Sequence, residues 1–365
     1  MRYNCPHLPQ RAQRRLAISS ALEQRTLDAL IVTCPANVRY LSGFTGSNGA
    51  LLLSRGGCEL FTDPRYQLQA AQEADCRVHA ARGPLLARLM AVAQRKKLHR
   101  LGFEKSRVSW DAYNLLAEKL WLGAVLEPVA GIVEELRMVK SPSEIALIRK
   151  SMAVCDEALE ATLTGLRPGL SEREVAAELD YQMRLRGADG AAFETIVAAG
   201  PRSALPHAHP TGNTLRNHQL VLIDVGASRA GYASDMTRTV VLGRAGTKAR
   251  HLYQAVAEAQ AAALAAVRPG VTAASVDRAA RSVLRRHGLE RAFAHATGHG
   301  LGLEIHEPPR LGKREKIRLR AGMVITVEPG AYLAGFGGVR IEDTVLVTAG
   351  GVEILSAAGK DLRVL

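Results

Sequence analysis

Apolar and polar residues alternate along the first third of the chain in short blocks that predict a succession of strands and helices. The apolar blocks predict strands at residues 27–32, 50–53, 58–61, 76–80, 100–103 and 124–129. The amphipathic blocks predict helices at residues 63–73, 84–97 and 109–122. Asp63 and Ser109 stand where an oxygen-bearing side chain caps the first turn of a helix, and Pro64 suits that turn because it lacks an N–H. Together these elements predict a small layered α/β domain.

A strong helix signal marks the start of a second domain. Ser141, Pro142 and Glu144 combine an N-cap, a proline in the first turn and the glutamate of a capping box. The helix is expected to continue to about Leu163. We therefore place the domain boundary between residues 134 and 135.

The second domain contains an internal repeat. Residues 166–187 match residues 267–288, and Pro168 corresponds to Pro269. In each copy an alanine-rich helix precedes a turn, a helix that begins at Ser or Thr follows, and a glycine-rich segment with histidine comes next. Chance similarity between two amphipathic helices is the alternative explanation.

Two acidic residues interrupt an apolar hairpin that spans residues 220–242. Residues 221–225 and 237–242 read as its strands, and Asp224 and Asp235 lie near its turn. If the turn centres on Arg229 and Ala230, the two carboxylates face each other across the strands. Such a buried pair needs a cation or a shared proton, because the charges repel and lose hydration. The alternative is a solvated hairpin with two surface acids.

The repeat predicts a second acidic pair, and the sequence supplies one. Glu328 and Glu342 each interrupt an apolar strand in the corresponding part of the second copy. Four buried carboxylates would strongly destabilise the fold unless divalent cations neutralise them, and such oxygen-rich sites favour hard ions such as Mn²⁺. His299, between two glycines that allow close approach of the backbone, is the best candidate for a nitrogen ligand. A nitrogen ligand favours Mn, Co, Fe or Zn over Ca or Mg.

Composition limits the cellular compartments in which the protein is expected. The 365 residues are 47% hydrophobic and 23% charged, and no apolar run approaches the roughly 20 residues of a membrane span. The basic N-terminus lacks the apolar region of a secretory signal. The five cysteines are scattered, odd in number and never spaced as CxxC, which favours a reducing compartment. We expect a cytoplasmic protein with no membrane partner.

Two features suggest nucleic-acid or phosphate binding, but neither is specific. The net charge of +13 comes from basic residues spread over predicted helix faces, without interleaved aromatic residues. The glycine-rich loop at residues 43–49 precedes an apolar strand, whereas a phosphate loop precedes a helix N-terminus. We therefore expect no nucleic-acid partner and a simple turn between strands at this loop.

Six segments of the second domain resemble, in the same order, those of the pita-bread metallopeptidases. They are IVAAGPRSALPHAHPT, LIDVGA, GYASDMTRTV, HATGHGLGLEIHEPP, ITVEPGAY and GVRIEDTVLV. This family includes Xaa-Pro aminopeptidase, Xaa-Pro dipeptidase (prolidase), methionine aminopeptidase and creatinase. The segments NVRYLSGFTGSNGALLL and FTDPRY of the first domain resemble the Xaa-Pro branch.

The resemblance implies a fold and a set of site residues. The fold is α/β (α+β), with an N-terminal creatinase-like domain at residues 1–134, implied to serve substrate access and dimer contacts. The catalytic domain, residues 135–365, is a pseudo-symmetric pita-bread fold in which helices flank a curved antiparallel sheet. The implied metal ligands are Asp224, Asp235, His299, Glu328 and Glu342. The implied catalytic residues are Glu328, His306 and His207, and the implied substrate-binding residues are His295, Arg340 and Tyr332.

The implied activity is that of an exopeptidase that uses two divalent metal ions, Mn or else Co or Zn. It would hydrolyse the bond between an N-terminal residue and proline, as an Xaa-Pro dipeptidase or, alternatively, as an Xaa-Pro aminopeptidase on longer peptides. Arg340 could bind the carboxylate of a dipeptide's proline. The resemblance also implies a homodimer, although residues 37–39 depart from relatives that place an acid there to contact the partner's substrate.

The sequence leaves two further alternatives open. Creatinase-like C–N hydrolysis without metal is disfavoured, because all five implied ligands are present. A pseudo-peptidase that binds peptide or nucleic acid without catalysis is the alternative outside the enzymes, and the net charge of +13 supports it slightly.

Overall fold

The computed structural model describes residues 9–365 of the chain. Cys5 and part of the basic N-terminus, on which the expectation about a secretory signal depends, lie outside these residues. The chain separates into two compact units, Met1–Arg137 and Met138–Leu365. The roles predicted for the N-terminal unit, in substrate access and dimer contacts, stay predictions.

The N-terminal unit is a six-stranded sheet with helices. Its helices are α1 (Gln10–Gln24), α2 (Pro35–Ser42), α3 (Gln67–Glu73), α4 (Leu85–Arg95), α5 (Trp110–Glu118) and α6 (Ile132–Arg137). Its strands are β1 (Ala29–Val32), β2 (Gly49–Ser54), β3 (Gly57–Thr62), β4 (Arg77–Ala80), β5 (Arg100–Glu104) and β6 (Val125–Val129). The strand order is β4-β3-β2-β1-β5-β6, with β2 antiparallel to β1 and β3 and the other neighbours parallel. The layered α/β prediction is confirmed.

Local helix signals in this unit form the contacts that the sequence predicts. The side chain of Ser109 accepts a hydrogen bond from the N–H of Ala112 and begins α5. Asp63 caps a short 3-10 turn at Pro64–Tyr66, and α3 begins only afterwards, so the helix predicted from residue 63 is split in two. The glycine-rich loop joins α2 to β2 and does not join two strands, because Gly43 ends α2 in the left-handed conformation.

The C-terminal unit combines four long helices with antiparallel strands. Its helices are α7 (Pro142–Gly165), α8 (Glu172–Leu185), α9 (Thr247–Ala266) and α10 (Ala273–Arg286). The strands that precede α9 are β7 (Gly190–Ala191), β8 (Ile196–Ala199), β9 (Leu220–Val225), β10 (Ala227–Arg229), β11 (Tyr232–Ala233) and β12 (Met236–Val241). The strands that follow α10 are β13 (Gly298–Gly300), β14 (Glu307–Leu311), β15 (Val324–Val327), β16 (Gly330–Leu333), β17 (Gly337–Arg340), β18 (Asp343–Thr348) and β19 (Gly351–Ile354).

These strands form four sheets, and each half of the unit has its own apolar core. The strand orders are β12-β9-β8, β11-β10-β7, β14-β13-β15-β18-β19 and β16-β17. Helices α7 and α8 contribute to one core with β8, β9 and β12, and α9 and α10 contribute to the other with β15, β17 and β18. Among the helices of residues 9–365, none is both long and apolar enough to span a membrane.

The repeat read from the sequence is a structural repeat. Helices α8 and α10 have 14 residues each and begin 101 positions apart. In the first half, the hydroxyl of Thr195 donates a hydrogen bond to Asp180 of α8 at 2.7 Å. In the second half, Thr297 donates in the same way to Asp277 of α10 at 2.8 Å. Each half therefore ties the start of its inner strand, β8 or β13, to its second helix.

The turn of the first acidic hairpin lies one residue beyond the predicted position. Ala230 and Gly231 both have positive φ, 49° and 73°, as a type I′ hairpin turn requires. With this turn Asp224 pairs with Thr237, and Asp235 falls in the gap between β11 and β12. The prediction that Asp224 and Asp235 face each other across the ladder is therefore wrong, although both line the same cavity.

Two glycines allow the close approach of backbones that brings the acidic residues inward. A Cβ atom at Gly226 would lie 2.2 Å from the carbonyl oxygen of Ser234, next to Asp235. A Cβ atom at Gly298 would lie 2.0 Å from the carbonyl oxygen of Thr326. Only glycine fits such contacts, so Gly298 brings the neighbouring His299 against the strand that ends before Glu328.

Glu172, the first residue of α8, holds the loop that follows β8. Its buried carboxylate accepts hydrogen bonds from Arg202, Thr211, Asn213 and the N–H of Ala199, at 2.8–3.1 Å. Although burial opposes the charge, these bonds lower the pKa of Glu172. We therefore expect the charged form of Glu172 to stabilise the fold.

We expect Glu172→Gln to lower the free energy of unfolding at pH 7 by about 2–4 kcal/mol, because the amide cannot accept this set of bonds. A carboxyl group whose pKa is lower in the folded state stabilises the fold at pH values above its unfolded pKa, which is about 4.3 for glutamate. This stabilisation is lost as the pH falls through the pKa of the folded state. The difference between variant and wild type in urea unfolding should therefore shrink below about pH 4. Glu178→Gln, on the exposed face of the same helix, is the control and should leave stability unchanged. An equal deficit at pH 7 and at acid pH would contradict the assignment.

Candidate metal centre

Strands of the C-terminal unit and the breaks between them place the five predicted ligands around one cavity of about 750 Å³. Asp224 lies near the end of β9, and Asp235 lies just before β12. Glu328 follows β15, and Glu342 lies between β17 and β18, while His299 is the middle residue of β13. All five side chains line the cavity, so the structure brings together the residues that the sequence singles out.

Three of these residues form a compact set of donors. Asp235, His299 and Glu342 each offer one ligand atom, and these atoms lie within 4.8 Å of one another. His299 Nε2 lies 3.4 Å from Asp235 Oδ2 and 3.5 Å from Glu328 Oε1. Two oxygens and a nitrogen therefore surround a common point, and a fourth donor, Glu328, lies beside them.

The tautomer of His299 suits a metal ligand. Its Nδ1 lies 3.0 Å from the carbonyl oxygen of Gly300, which can only accept a hydrogen bond, so Nδ1 carries the proton. When the ring is neutral, as a metal ligand must be, Nε2 therefore presents its lone pair toward the carboxylates. A backbone carbonyl on the far nitrogen is a common way in which proteins orient a ligating histidine.

Asp224 has one oxygen committed and one oxygen free of hydrogen bonds. Its Oδ2 accepts a bond from Arg340 Nη2 at 2.6 Å. Its Oδ1 is buried and has no hydrogen-bond partner among the residues that the structure describes. An orphaned carboxylate oxygen is costly in an apolar interior unless a cation or another group satisfies it.

The cluster carries more negative charge than its protein partners neutralise. Burial, and then the charges of Asp235, Glu328 and Asp224, raise the pKa of Glu342 well above its ordinary value. Burial and Asp235 also raise the pKa of Asp224 to about 6, against the opposing charge of Arg340. Although burial opposes its charge, the carboxylates of Asp235 and Glu328 raise the pKa of His299 to about 9. These three pKa shifts have the same cause, which is that the buried carboxylates have too little positive charge near them.

Thr237 and Thr326 are supporting residues that sequence reasoning missed. The hydroxyl of Thr237 donates to Glu342 Oε2 at 2.7 Å and accepts from Arg340 Nε at 2.9 Å. Thr326 donates to Glu328 Oε1 at 3.3 Å. The signal for Thr237 is the strand register: once the turn is placed at Ala230 and Gly231, this threonine pairs with Asp224.

The residues predicted to bind substrate form an internal hydrogen-bonded chain. Arg340 Nη1 donates to the hydroxyl of Tyr332 at 2.8 Å. That hydroxyl lies 2.7 Å from His295 Nε2 and donates to it, because His295 Nδ1 is committed to the carbonyl oxygen of Ala296. Burial, followed by the charge of Arg340, lowers the pKa of His295 to about 3, so this imidazole is neutral.

Arg340 is not placed to bind the carboxylate of a substrate. It is 2% exposed, and four of its five N–H donors bind Asp224, Tyr332, Thr237 and the carbonyl oxygen of Pro206. Releasing the guanidinium would leave Asp224 unpaired in the interior, which is strongly unfavourable. The geometry therefore contradicts that part of the sequence interpretation and assigns Arg340 to the support of Asp224. Tyr332 accepts a hydrogen bond from Arg340 and so helps to hold it in place.

His207 and His306 lie at the mouth of the cavity and are exposed. The ring of His306 lies 4.3 Å from that of His299, centroid to centroid. Burial, and then the neighbouring charges of His299 and His207, lower the pKa of His306. A neutral imidazole in this position can donate a hydrogen bond to a substrate oxygen at neutral pH.

Divalent metal ions fit this arrangement by three observations. Asp224 has an orphaned oxygen, the buried carboxylates are in excess, and His299 is oriented so that its Nε2 faces them as a donor atom once the ring is neutral. Mixed carboxylate and imidazole donors suit Mn²⁺, Co²⁺, Fe²⁺ or Zn²⁺. Asp224, Asp235, His299, Glu328 and Glu342 could hold such ions.

Comparison with known proteins decides the family. The model of metallopeptidase family M24 matches residues 146–349. The chain belongs to this family. A second model, the creatinase/prolidase N-terminal domain, matches residues 14–139. The protein is therefore an M24 metallopeptidase, which makes it a hydrolase, and both the enzyme class and the fold class predicted from the sequence are confirmed.

Several named relatives and solved structures are similar over nearly the whole chain. An Xaa-Pro dipeptidase of Pyrococcus furiosus is 35% identical, across 93% of this chain and 97% of that enzyme. The structure of an Xaa-Pro dipeptidase from Bacillus anthracis superimposes with a TM-score of 0.95 at 36% identity, covering 98% of this chain and all of that one. An X-Pro aminopeptidase from Thermotoga maritima gives a TM-score of 0.88 at 35% identity, covering 94% and 100%.

Proposed function

We propose that this M24 metallopeptidase is an Xaa-Pro dipeptidase that hydrolyses the bond between an N-terminal residue and a C-terminal proline. The observation that carries the proposal is the cluster of five ligand side chains on one cavity. Similarity to enzymes named Xaa-Pro dipeptidase over more than nine-tenths of the chain supports the choice of substrate. An Xaa-Pro aminopeptidase is the second candidate, because the Thermotoga maritima enzyme of that name is similar at 35% identity.

Different side chains of the protein have different roles in the proposed reaction. When bound, two divalent ions supply Lewis-acid chemistry that lowers the pKa of water from about 15.7 toward about 7. Glu328, which Thr326 orients at 3.3 Å, takes the proton of the attacking water and delivers it to the nitrogen of the departing proline. His306 and His207, at the mouth, donate hydrogen bonds to the carbonyl oxygen as it gains charge. Arg340 holds Asp224 in place throughout.

Three finer features belong to the same proposal. We propose manganese as the native metal, since four carboxylates and one imidazole suit a hard ion. A cytoplasmic location agrees with the four described cysteines, which are all free. A homodimer is proposed from the family resemblance alone.

A dipeptidase must bind the carboxylate of proline, and Arg310 is the residue that we assign to this role. Two arginines line the cavity, Arg340 and Arg310. Arg340 is committed to Asp224, whereas Arg310 lies exposed on β14, four residues after His306. A guanidinium can bind a carboxylate through two parallel hydrogen bonds.

We expect Arg310→Met to raise KM for an Xaa-Pro dipeptide by about 10–100-fold, as the loss of a charge-assisted contact predicts, with a smaller effect on kcat. The matched substrate is an Xaa-Pro amide, which lacks the carboxylate. Wild type and variant should process this amide equally slowly. Wild-type turnover of an Xaa-Pro-Yaa tripeptide at the rate of the dipeptide would refute the dipeptidase and favour the aminopeptidase.

A further inference from the structure

The N-terminal unit holds a pair of cysteines at the beginning of neighbouring strands, one within β3 and one directly before β4, remote in sequence from the metal ligands. Strands β3 and β4 pair in parallel with Glu59 opposite Arg77. Cys58 and Cys76 each directly precede one of these residues, so they lie beside the first pair of the ladder. Strand β4 is the edge of the sheet. Neighbouring strands lie about 4.8 Å apart, which is within the roughly 4.4–6.8 Å of Cα separation that a disulfide spans.

The two thiols differ in character. The neighbouring Cys58 thiol lowers the pKa of Cys76, whereas Cys76 and then burial raise the pKa of Cys58. Arg15 of α1 also lowers the pKa of Cys76, against burial and the charge of Asp75. Arg15 is held in place because it binds both carboxylate oxygens of Asp75, at 2.6 and 3.2 Å. A thiolate stabilised by a neighbouring donor and a cation is the reactive form of cysteine.

Accessibility separates this pair from the other described cysteines. Cys58 and Cys76 are both partly exposed, whereas Cys34 is 6% exposed and Cys155 is fully buried. Of the described cysteines, these two are therefore the more accessible to a small oxidant. Redox-sensitive cysteines typically combine exposure, thiolate character and an adjacent resolving thiol.

We propose that Cys58 and Cys76 form a modification site that takes a hydroperoxide and closes to a reversible disulfide between β3 and β4. The Cys76 thiolate attacks the terminal peroxide oxygen, the O–O bond breaks, and the second oxygen leaves as an alkoxide or hydroxide that takes a proton from solvent. The sulfenic acid so formed on Cys76 is attacked by the Cys58 sulfur, which loses its proton. The S–S bond forms and water leaves, so that two thiols are oxidised and one hydroperoxide is reduced.

The test uses the full-length protein with Cys5→Ser, so that only the four described cysteines can be oxidised or alkylated. Hydrogen peroxide is added and then removed with catalase, free thiols are alkylated in urea, and the protein is digested with trypsin. Cleavage after Arg55, Arg65 and Arg77 separates Cys58 and Cys76 into two peptides. We expect these peptides to be joined by a disulfide that dithiothreitol reverses, with Cys155 still alkylated as a free thiol.

Two variants and one rate measurement complete the test. Cys58→Ser should trap the sulfenic acid on Cys76 as a dimedone adduct, and Cys76→Ser should leave Cys58 without one. In native protein at pH 7, iodoacetamide should alkylate Cys76 about tenfold faster than Cys58. The proposal is overturned if peroxide leaves both thiols free in the wild-type digest. It is equally overturned if Cys76 proceeds to sulfinic acid while Cys58 stays unlinked.

Discussion

Replacing Glu328 with glutamine is expected to lower kcat for an Xaa-Pro dipeptide by about a thousandfold or more, since proton transfer by a positioned group contributes about 10²–10⁴ and Glu328 is also a proposed ligand. The amide keeps the shape of the side chain and can still accept the hydrogen bond from Thr326. It cannot take a proton from water or return one to the proline nitrogen. Steady-state kinetics with saturating Mn²⁺ measure the loss.

A control in the same cavity separates this role from a general effect of charge. Glu194 also lines the cavity, but its carboxylate is largely exposed and lies 2.9 Å from His209. Glu194→Gln should retain turnover within about threefold of wild type, as expected for an exposed pair. Metal content of both variants is measured in the same preparations. Turnover of Glu328→Gln within about tenfold of wild type would refute the proton-transfer role.

The Glu342→Gln variant is expected to be more stable than wild type in the absence of metal. In the presence of metal it is expected to be less stable than wild type. Glu342 is 2% exposed, and burial and three neighbouring acids oppose its charge. Glutamine removes that charge and can still accept the bond from Thr237. In chelator we expect the free energy of unfolding to rise by about 1–3 kcal/mol.

In Mn²⁺ the order of the two proteins should reverse. A ligand that binds only the folded state stabilises it by about 4 kcal/mol at a free concentration 1,000 times its Kd. Wild type should gain this stabilisation, and Glu342→Gln should gain little of it because a ligand is lost. The midpoints of thermal unfolding, with and without metal, report both effects, and Glu353→Gln on β19, whose side chain is 43% exposed, is the control. A variant less stable than wild type in chelator would contradict the view that the cluster is an uncompensated set of acids.

Local signals in the sequence predicted local structure well. Ser141 and Glu144 form the capping box that begins α7, and Ser109 caps α5, because these bonds join residues only three positions apart. The repeat likewise predicted paired helices, and α8 and α10 have equal length. Thr272 occupies the N-cap position of α10, yet its side chain forms no capping bond there. The propensity of a residue for a position does not ensure the bond.

The register of the hairpin could not be settled from alternation alone. Moving the turn by one residue, from Arg229 and Ala230 to Ala230 and Gly231, changes which residue faces Asp224. Gly231 was the available signal, because a two-residue hairpin turn favours glycine where φ is positive. The carboxylates of Asp224 and Asp235 still line one cavity, since the strand breaks before Asp235. The cluster thus depends on an interruption of the ladder that the apolar pattern does not reveal.

The environment of Arg340 depends on contacts far apart in sequence. Its partners Asp224 and Pro206 are more than 100 residues away. A sequence shows that an arginine precedes Glu342 by two positions, but it does not show whether the guanidinium faces substrate or protein. Arg340 is buried in the structure, so its guanidinium faces other protein groups.

Titration of Mn²⁺ into metal-free protein by isothermal calorimetry, with activity followed in the same samples, tests the central claim most directly. The account predicts two ions bound per chain, turnover of an Xaa-Pro dipeptide that appears as the ions bind, and loss of both in Asp235→Asn. Full turnover in excess chelator, or metal binding unchanged in Asp235→Asn, would contradict it.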